Sequence, residues 1–138
     1  FWRRANVLTI SLHTDPAQYY PFFSGYAHEA GEGEGRGFNL NLPLPQGTGD
    51  EDYLRALDLA LSHVRDFAPG ALVVALGLDG FAGDPLKGMA ITTPGFARIG
   101  AALARLGLPT ILVQEGGYLA PELGTNLASA LRGFLAPG

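Results

Sequence analysis

The chain has 138 residues, a formal net charge of -4 and 47% hydrophobic residues. That length fits one domain or a piece of one, and the apolar share is ordinary for a globular protein. Mild acidity argues against a nucleic-acid binder, which relies on basic patches. The absence of cysteine excludes a disulfide frame and a thiolate metal site.

The start, Phe1-Trp2-Arg3-Arg4, has no initiator Met and lacks the apolar run of a signal peptide. It reads as a chain cut inside a larger protein. No apolar stretch is long enough to span a bilayer, so no membrane partner is expected and a cytoplasmic location fits.

Three short apolar runs read as buried parallel strands: Val7 to Leu12, Ala71 to Leu76 and Thr110 to Gln114. Between the first two, the stretch from His13 to Gly49 shows no helix and is rich in Gly, Pro and aromatic residues. A loop that long is functional or disordered, and its aromatics argue against disorder. A short strand is expected over Phe38 to Leu42. Helical spacing then runs from Glu51 to Phe67 through Tyr53, Leu54, Leu57, Leu61 and Val64, with Asp50 as N-cap. A second helix is predicted from Thr93, with Thr93 as cap and Pro94 in the first turn, and a third over Pro121 to Phe134. Alternating strands and helices predict an α/β fold with a parallel sheet, helices on both faces and about three main strands, all within one domain over 1–138.

In such sheets ligands bind at the carboxyl ends of the strands. The three strand ends carry Ser11-Leu12-His13, Gly77-Leu78-Asp79-Gly80 and Glu115-Gly116-Gly117-Tyr118. Asp79 is a turn residue or a metal ligand, and spacing leaves both open. Tyr118 is an oxyanion donor or a tyrosine packed over the rim. The glycines before it let the backbone approach another group closely. His13 reads as a hydrogen-bonded structural residue. The string Gly31-Glu32-Gly33-Glu34-Gly35 is no dinucleotide fingerprint, because no strand precedes it and no helix opens in it.

These motifs, taken in order, resemble the zinc-dependent acetylpolyamine amidohydrolase and histone deacetylase family, whose fold is related to arginase. The segments that carry the resemblance are Val7 to His13, Tyr20-Pro21-Phe22-Phe23-Ser24-Gly25, Gly31 to Gly35 with Phe38 to Pro43, Leu76 to Asp79, Ala82-Gly83-Asp84-Pro85 and Glu115 to Tyr118. Together they cover nearly the whole chain and match the C-terminal part of the family's catalytic domain. The resemblance implies that Asp79 is a ligand to a catalytic zinc and that Tyr118 donates to the carbonyl oxygen of the scissile amide. It places Tyr20, Leu86 and Gly117 along the substrate channel. Ser11 and the Leu12 carbonyl would hold a structural potassium ion, and the carbonyls of Phe1, Arg4, Val7 and Phe38 a second monovalent cation. The implied substrate is an acetylated polyamine or acetyl-lysine, and the implied assembly is up to a homodimer. Glu29, Glu32 and Glu34 are solvated loop residues or acidic groups at the channel mouth. The family's other two zinc ligands, an Asp-x-His motif, and its tandem His pair do not occur in these residues. The competing expectations are a noncatalytic interaction module of the same fold and an unrelated α/β hydrolase or nucleotide binder.

Overall fold

A computed structural model describes residues 1–137. They form two compact units, Phe1–Gln46 and 47–137.

In the first unit, β1 (Thr9–Thr14) pairs in parallel with β2 (Asn39–Leu44), in register from Thr9 with Asn39 to Thr14 with Leu44. The connecting stretch holds one 3-10 turn, Gly33–Gly35, and no longer helix. The glycine string is there for close packing. A Cβ on Gly35 would lie 2.5 Å from the Trp2 carbonyl oxygen and 2.6 Å from the Arg4 nitrogen. The string is fastened to the chain start as Glu32 N–H donates to Trp2 O at 3.0 Å and Arg3 pairs with the Glu32 carboxylate at 3.0 Å.

In the second unit the order is α1 (Asp50–Phe67), β3 (Leu72–Gly77), α2 (Thr93–Ala104), β4 (Thr110–Glu115) and α3 (Leu123–Leu135). β3 and β4 pair in parallel from Leu72 with Thr110 to Gly77 with Glu115. The core is Leu57, Leu61, Val64, Leu76, Leu78, Ile91, Phe96, Ile99 and Leu103, all buried. α2 and α3 cross closely, because both present a glycine at the contact. A Cβ on Gly100 would collide with the Ala130 carbonyl, and one on Gly133 with the Ala97 carbonyl.

The elements fall where the apolar runs place them, in a parallel α/β arrangement. Three details differ. Strand period two puts Leu76 inward, yet leaves Val73 67% and Ile111 63% exposed, so within this chain one face of the β3–β4 pair is uncovered. Asp50 does not cap α1, whose N-cap is Gly49. Thr93 does not cap α2 either. The cap is Thr92, whose hydroxyl accepts the Gly95 N–H, while Thr93 Oγ1 donates to the buried Asn126 at 2.6 Å.

Candidate active-site edge

β3 runs straight into a 3-10 turn, Leu78–Gly80, anchored by Leu78 at 1% exposure. This turn carries Asp79. Because Gly77 pairs with Glu115, the residues that follow the two strands leave from adjacent ends of the sheet. Asp79 and the Gly116-Gly117-Tyr118 segment therefore belong to one edge, at the carboxyl ends of β3 and β4.

Asp79 is half-buried beside two glycines. A Cβ on Gly77 would lie 3.0 Å from its Oδ1, and one on Gly116 would overlap the carboxylate. Gly116 and Gly117 both have positive φ, 57° and 81°. A side chain at 117 would also strike Leu78 and Leu123. Glycine at both positions is thus required by conformation and by space. Among the described residues no hydrogen bond or ion pair engages the Asp79 carboxylate. Its charge is felt by Tyr53 on α1, whose phenol is pushed up to about 12, first by burial and then by Asp79. Tyr53 therefore stays protonated across the physiological range.

Asp84 is the opposite kind of carboxylate. It is 1% exposed, and both its oxygens are occupied by main-chain donors. Leu86 N–H donates to Oδ1 at 2.9 Å, and Tyr118 N–H donates to Oδ2 at 2.9 Å. Leu86 and Tyr118 are thereby brought to the same carboxylate. The Tyr118 side chain is 50% exposed, and no described residue hydrogen-bonds its hydroxyl.

The remaining predicted site residues lie in the first unit. His13 stands inside β1, with Nε2 donating to the Gly25 carbonyl at 2.8 Å. That bond assigns the proton to Nε2, so in the neutral ring Nδ1 accepts from Ser11 Oγ at 2.8 Å. His13 is thus a hydrogen-bonded structural residue. Leu12 sits beside Ser11 in β1, in register with Leu42. Phe1 O accepts the Arg4 N–H at 2.9 Å, and Phe38 O accepts the Thr9 N–H at 3.0 Å. Phe38 O also accepts from Thr9 Oγ1 at 3.4 Å, whereas Phe1 O keeps a second lone pair. Val7 is half-buried just before β1. Tyr20 is 76% exposed, on a loop that also exposes Phe22 and Phe23.

Glu29 is a hydrogen-bonded structural residue rather than a freely solvated loop acid. One carboxylate oxygen accepts the Gly25 N–H at 2.8 Å and the Asn41 amide at 3.0 Å. Asn41 also donates to Tyr26 O at 3.1 Å, and Asn39 donates to Glu29 O at 2.6 Å. This cluster pins the aromatic loop to β2. Glu32, paired with Arg3, is likewise engaged. The roles of Asp84, Glu29, Asn39 and Asn41 were not read from the sequence. The two asparagines at alternate positions of an apolar strand were the available signal, since they put amides on one strand face.

Asp79 suits one position in a metal's ligand set, as an uncommitted carboxylate held beside glycines. Among the described residues no three His, Cys, Asp or Glu side chains stand together as a metal site. A catalytic zinc takes about three protein ligands, and the described residues bring no such set together.

A parallel α/β unit with an uncommitted aspartate at the end of one strand and a Gly-Gly-Tyr segment at the end of the next defines a fold and edge of the deacetylase type. The histone deacetylase domain model matches residues 1–134, and the chain belongs to that family. It is 44% identical over 134 residues to acetylpolyamine amidohydrolase 1 of Pseudomonas aeruginosa, covering 97% of this chain and 39% of the relative. It is 45% identical to an acetylpolyamine amidohydrolase of Burkholderia pseudomallei, again over 97% of this chain and 39% of the relative. The crystal structure of a Burkholderia pseudomallei acetylpolyamine aminohydrolase superposes with a TM-score of 0.96 at 44% identity, covering 99% of this chain and 40% of that one. A histone deacetylase homologue complexed with SAHA superposes at 0.82 with 32% identity, covering 99% of this chain and 36% of that one. The chain thus spans about two-fifths of the length of the relatives it matches. No helix of the described residues is long and apolar enough to cross a membrane.

Proposed function

We propose that this chain forms one side of the active site of a zinc-dependent deacetylase acting on acetylated polyamines or acetyl-lysine. The observation that carries the reading is the contrast at the β3–β4 edge, where Asp79 is uncommitted and Tyr118 offers a free hydroxyl beside it in the topology. Identity of 44% to an acetylpolyamine amidohydrolase supports the polyamine substrate class.

In this proposal Asp79 gives one ligand to zinc, and the others come from segments of a longer chain. The uncovered β3–β4 face, with Val73 and Ile111 exposed, fits burial against such segments. Zinc, when bound, polarises the acetyl carbonyl and makes water a better nucleophile. Tyr118 donates its hydroxyl proton in a hydrogen bond to the amide oxygen as that oxygen gains negative charge. Gly116 and Gly117 let the main chain pass close to Asp79 and Leu78, which sets where the tyrosine begins. Leu86 offers apolar surface for the methylenes of the substrate, and the exposed Tyr20 of the first unit is a substrate-binding residue by family resemblance. Ser11 Oγ and the Leu12 carbonyl hold potassium. In support, the Ser11 proton is directed at His13 Nδ1, which leaves hydroxyl lone pairs for a cation. The carbonyls of Phe1, Arg4, Val7 and Phe38 serve a second cation.

The test is a pair of variants in the full-length protein. Asp79→Ala should lose bound zinc by elemental analysis and all measurable turnover of acetylputrescine. Tyr118→Phe should keep its zinc while turnover falls about 100- to 1000-fold, the usual loss for one oxyanion donor. Full turnover in Tyr118→Phe removes the oxyanion role. A full complement of zinc in Asp79→Ala removes its role as a ligand, and an unsubstituted full-length protein with neither zinc nor turnover leaves a noncatalytic module of the same fold as the better description. Turnover of an acetyl-lysine peptide measured in parallel separates the two substrate classes.

A further inference from the structure

We propose that Asp84 is a positioning residue that fixes Tyr118 and Leu86 relative to each other, so that the oxyanion donor and the channel rim move as one piece. This rests on the reading of Tyr118 given above. The carboxylate is 1% exposed, carries no basic partner among the described residues, and spends both oxygens on main-chain N–H groups. One belongs to Leu86, two residues on. The other belongs to Tyr118, 34 positions away, at the end of a different strand. An aspartate that served only its own turn would need the Leu86 bond alone, which closes an Asx turn. The turn is already held by its backbone, since Asp84 N–H donates to Phe81 O at 3.0 Å and Lys87 N–H donates to Asp84 O at 3.1 Å. The bond to Tyr118 is the one that local structure does not require.

That bond completes a three-point fixation. Gly116 lies against the Asp79 carboxylate, Gly117 against Leu78 and Leu123, and the next N–H is held by Asp84. The Tyr118 side chain, half-exposed and without a hydrogen-bond partner of its own among the described residues, is left with its backbone as its anchor. Hydrogen bonds to an ionised acceptor are shorter and about twice as strong as neutral ones. Misplacement of a reacting group by about 1 Å can cost about 100-fold in rate.

The experiment uses the full-length protein with its zinc. Asp84→Asn keeps the shape but offers only one acceptor oxygen to two donors. It should lower kcat for acetylputrescine by about 10- to 100-fold, with zinc content unchanged. In a Tyr118→Phe background the same substitution should cost less than about twofold, because the group it positions is gone. A structural defect would multiply undiminished onto Tyr118→Phe, and that result overturns the proposal. Amide hydrogen exchange of the unsubstituted protein is a second readout that needs no variant to fold. The Tyr118 N–H should exchange far more slowly than that of Leu119, and free exchange at Tyr118 overturns the bond itself. If Tyr118→Phe retains full turnover while the Tyr118 amide is protected, the bond stands but the positioning role falls with the oxyanion reading.

Discussion

The two units are held together by different chemistry. Between Leu57 and Ala130 lie all the buried aliphatic and aromatic side chains of the core, with Phe96, Leu78 and Ile91 almost inaccessible. In Phe1–Gln46 the buried side chains include Thr14, Asn41 and Pro16, and order comes from amide and carboxylate hydrogen bonds to a long loop. Apolar burial is non-directional and tolerates small shifts. Hydrogen-bond networks are directional and costly when half-satisfied. The second unit carries the residues proposed for chemistry on a packed support, while the first holds an aromatic loop in a conformation that apolar packing alone would not select.

The largest effect that tests this contrast comes from the core. Phe96 is 2% exposed on α2. Phe96→Ala should destabilise the second unit by about 3–5 kcal/mol, from lost transfer energy and the cavity left behind. Denaturant unfolding measures the loss. Amide exchange would show it spread over α1, α2 and α3. A loss under about 1 kcal/mol would mean that the core is not what holds this unit.

A smaller and differently distributed effect is expected at Asn41. Its amide donates to Tyr26 O and to the Glu29 carboxylate. Asn41→Ala leaves those acceptors short of a donor, at a cost of about 1–3 kcal/mol. The faster amide exchange should be confined to Gly25 and Glu29, with the β1–β2 ladder intact. Loosening of the whole β1–β2 pair would show that the network supports the strands as well as the loop.

The legible parts of the sequence were those written in periodicity. The apolar runs gave the strand positions to within a few residues, and the stripe of Leu57, Leu61 and Val64 gave α1. The strand-end aspartate and tyrosine were legible because parallel sheets present functional groups there, although their roles came from a family resemblance. What stayed hidden were partnerships between residues far apart in the chain. Nothing in Gly83-Asp84-Pro85 says that the carboxylate reaches the backbone of Tyr118. Nothing around Glu29 distinguishes a loop acid in water from one that collects the Gly25 and Asn41 donors. The exposed face of β3–β4 was hidden for another reason. A continuous apolar run such as Leu72-Val73-Val74-Ala75-Leu76 states that both faces suit burial, and it does not state what covers them.

Helix capping shows the same limit at the scale of a single residue, and it sets the smallest effect. Asp50 precedes a helical stripe and reads as its cap, yet α1 already includes it. Its carboxylate turns instead to the start of α2, where Oδ1 accepts the Thr92 N–H at 2.8 Å and Oδ2 accepts the Thr92 hydroxyl at 2.6 Å. Thr92 Oγ1 in turn accepts the Gly95 N–H at 3.1 Å. Gly95 is needed beside this pair, because a Cβ there would overlap the Asp50 carboxylate. One threonine hydroxyl thus both caps α2 and ties it to α1. Thr92→Ala removes both bonds and should cost about 1 kcal/mol, the usual value for a lost cap. Thr92→Ser keeps the hydroxyl and should restore most of that. The cost stays small because apolar contacts hold α2 against its neighbours without the cap. A Thr92→Ala loss as large as that of Phe96→Ala would place a polar contact on a par with the core in the second unit and would erase the distinction between the two units.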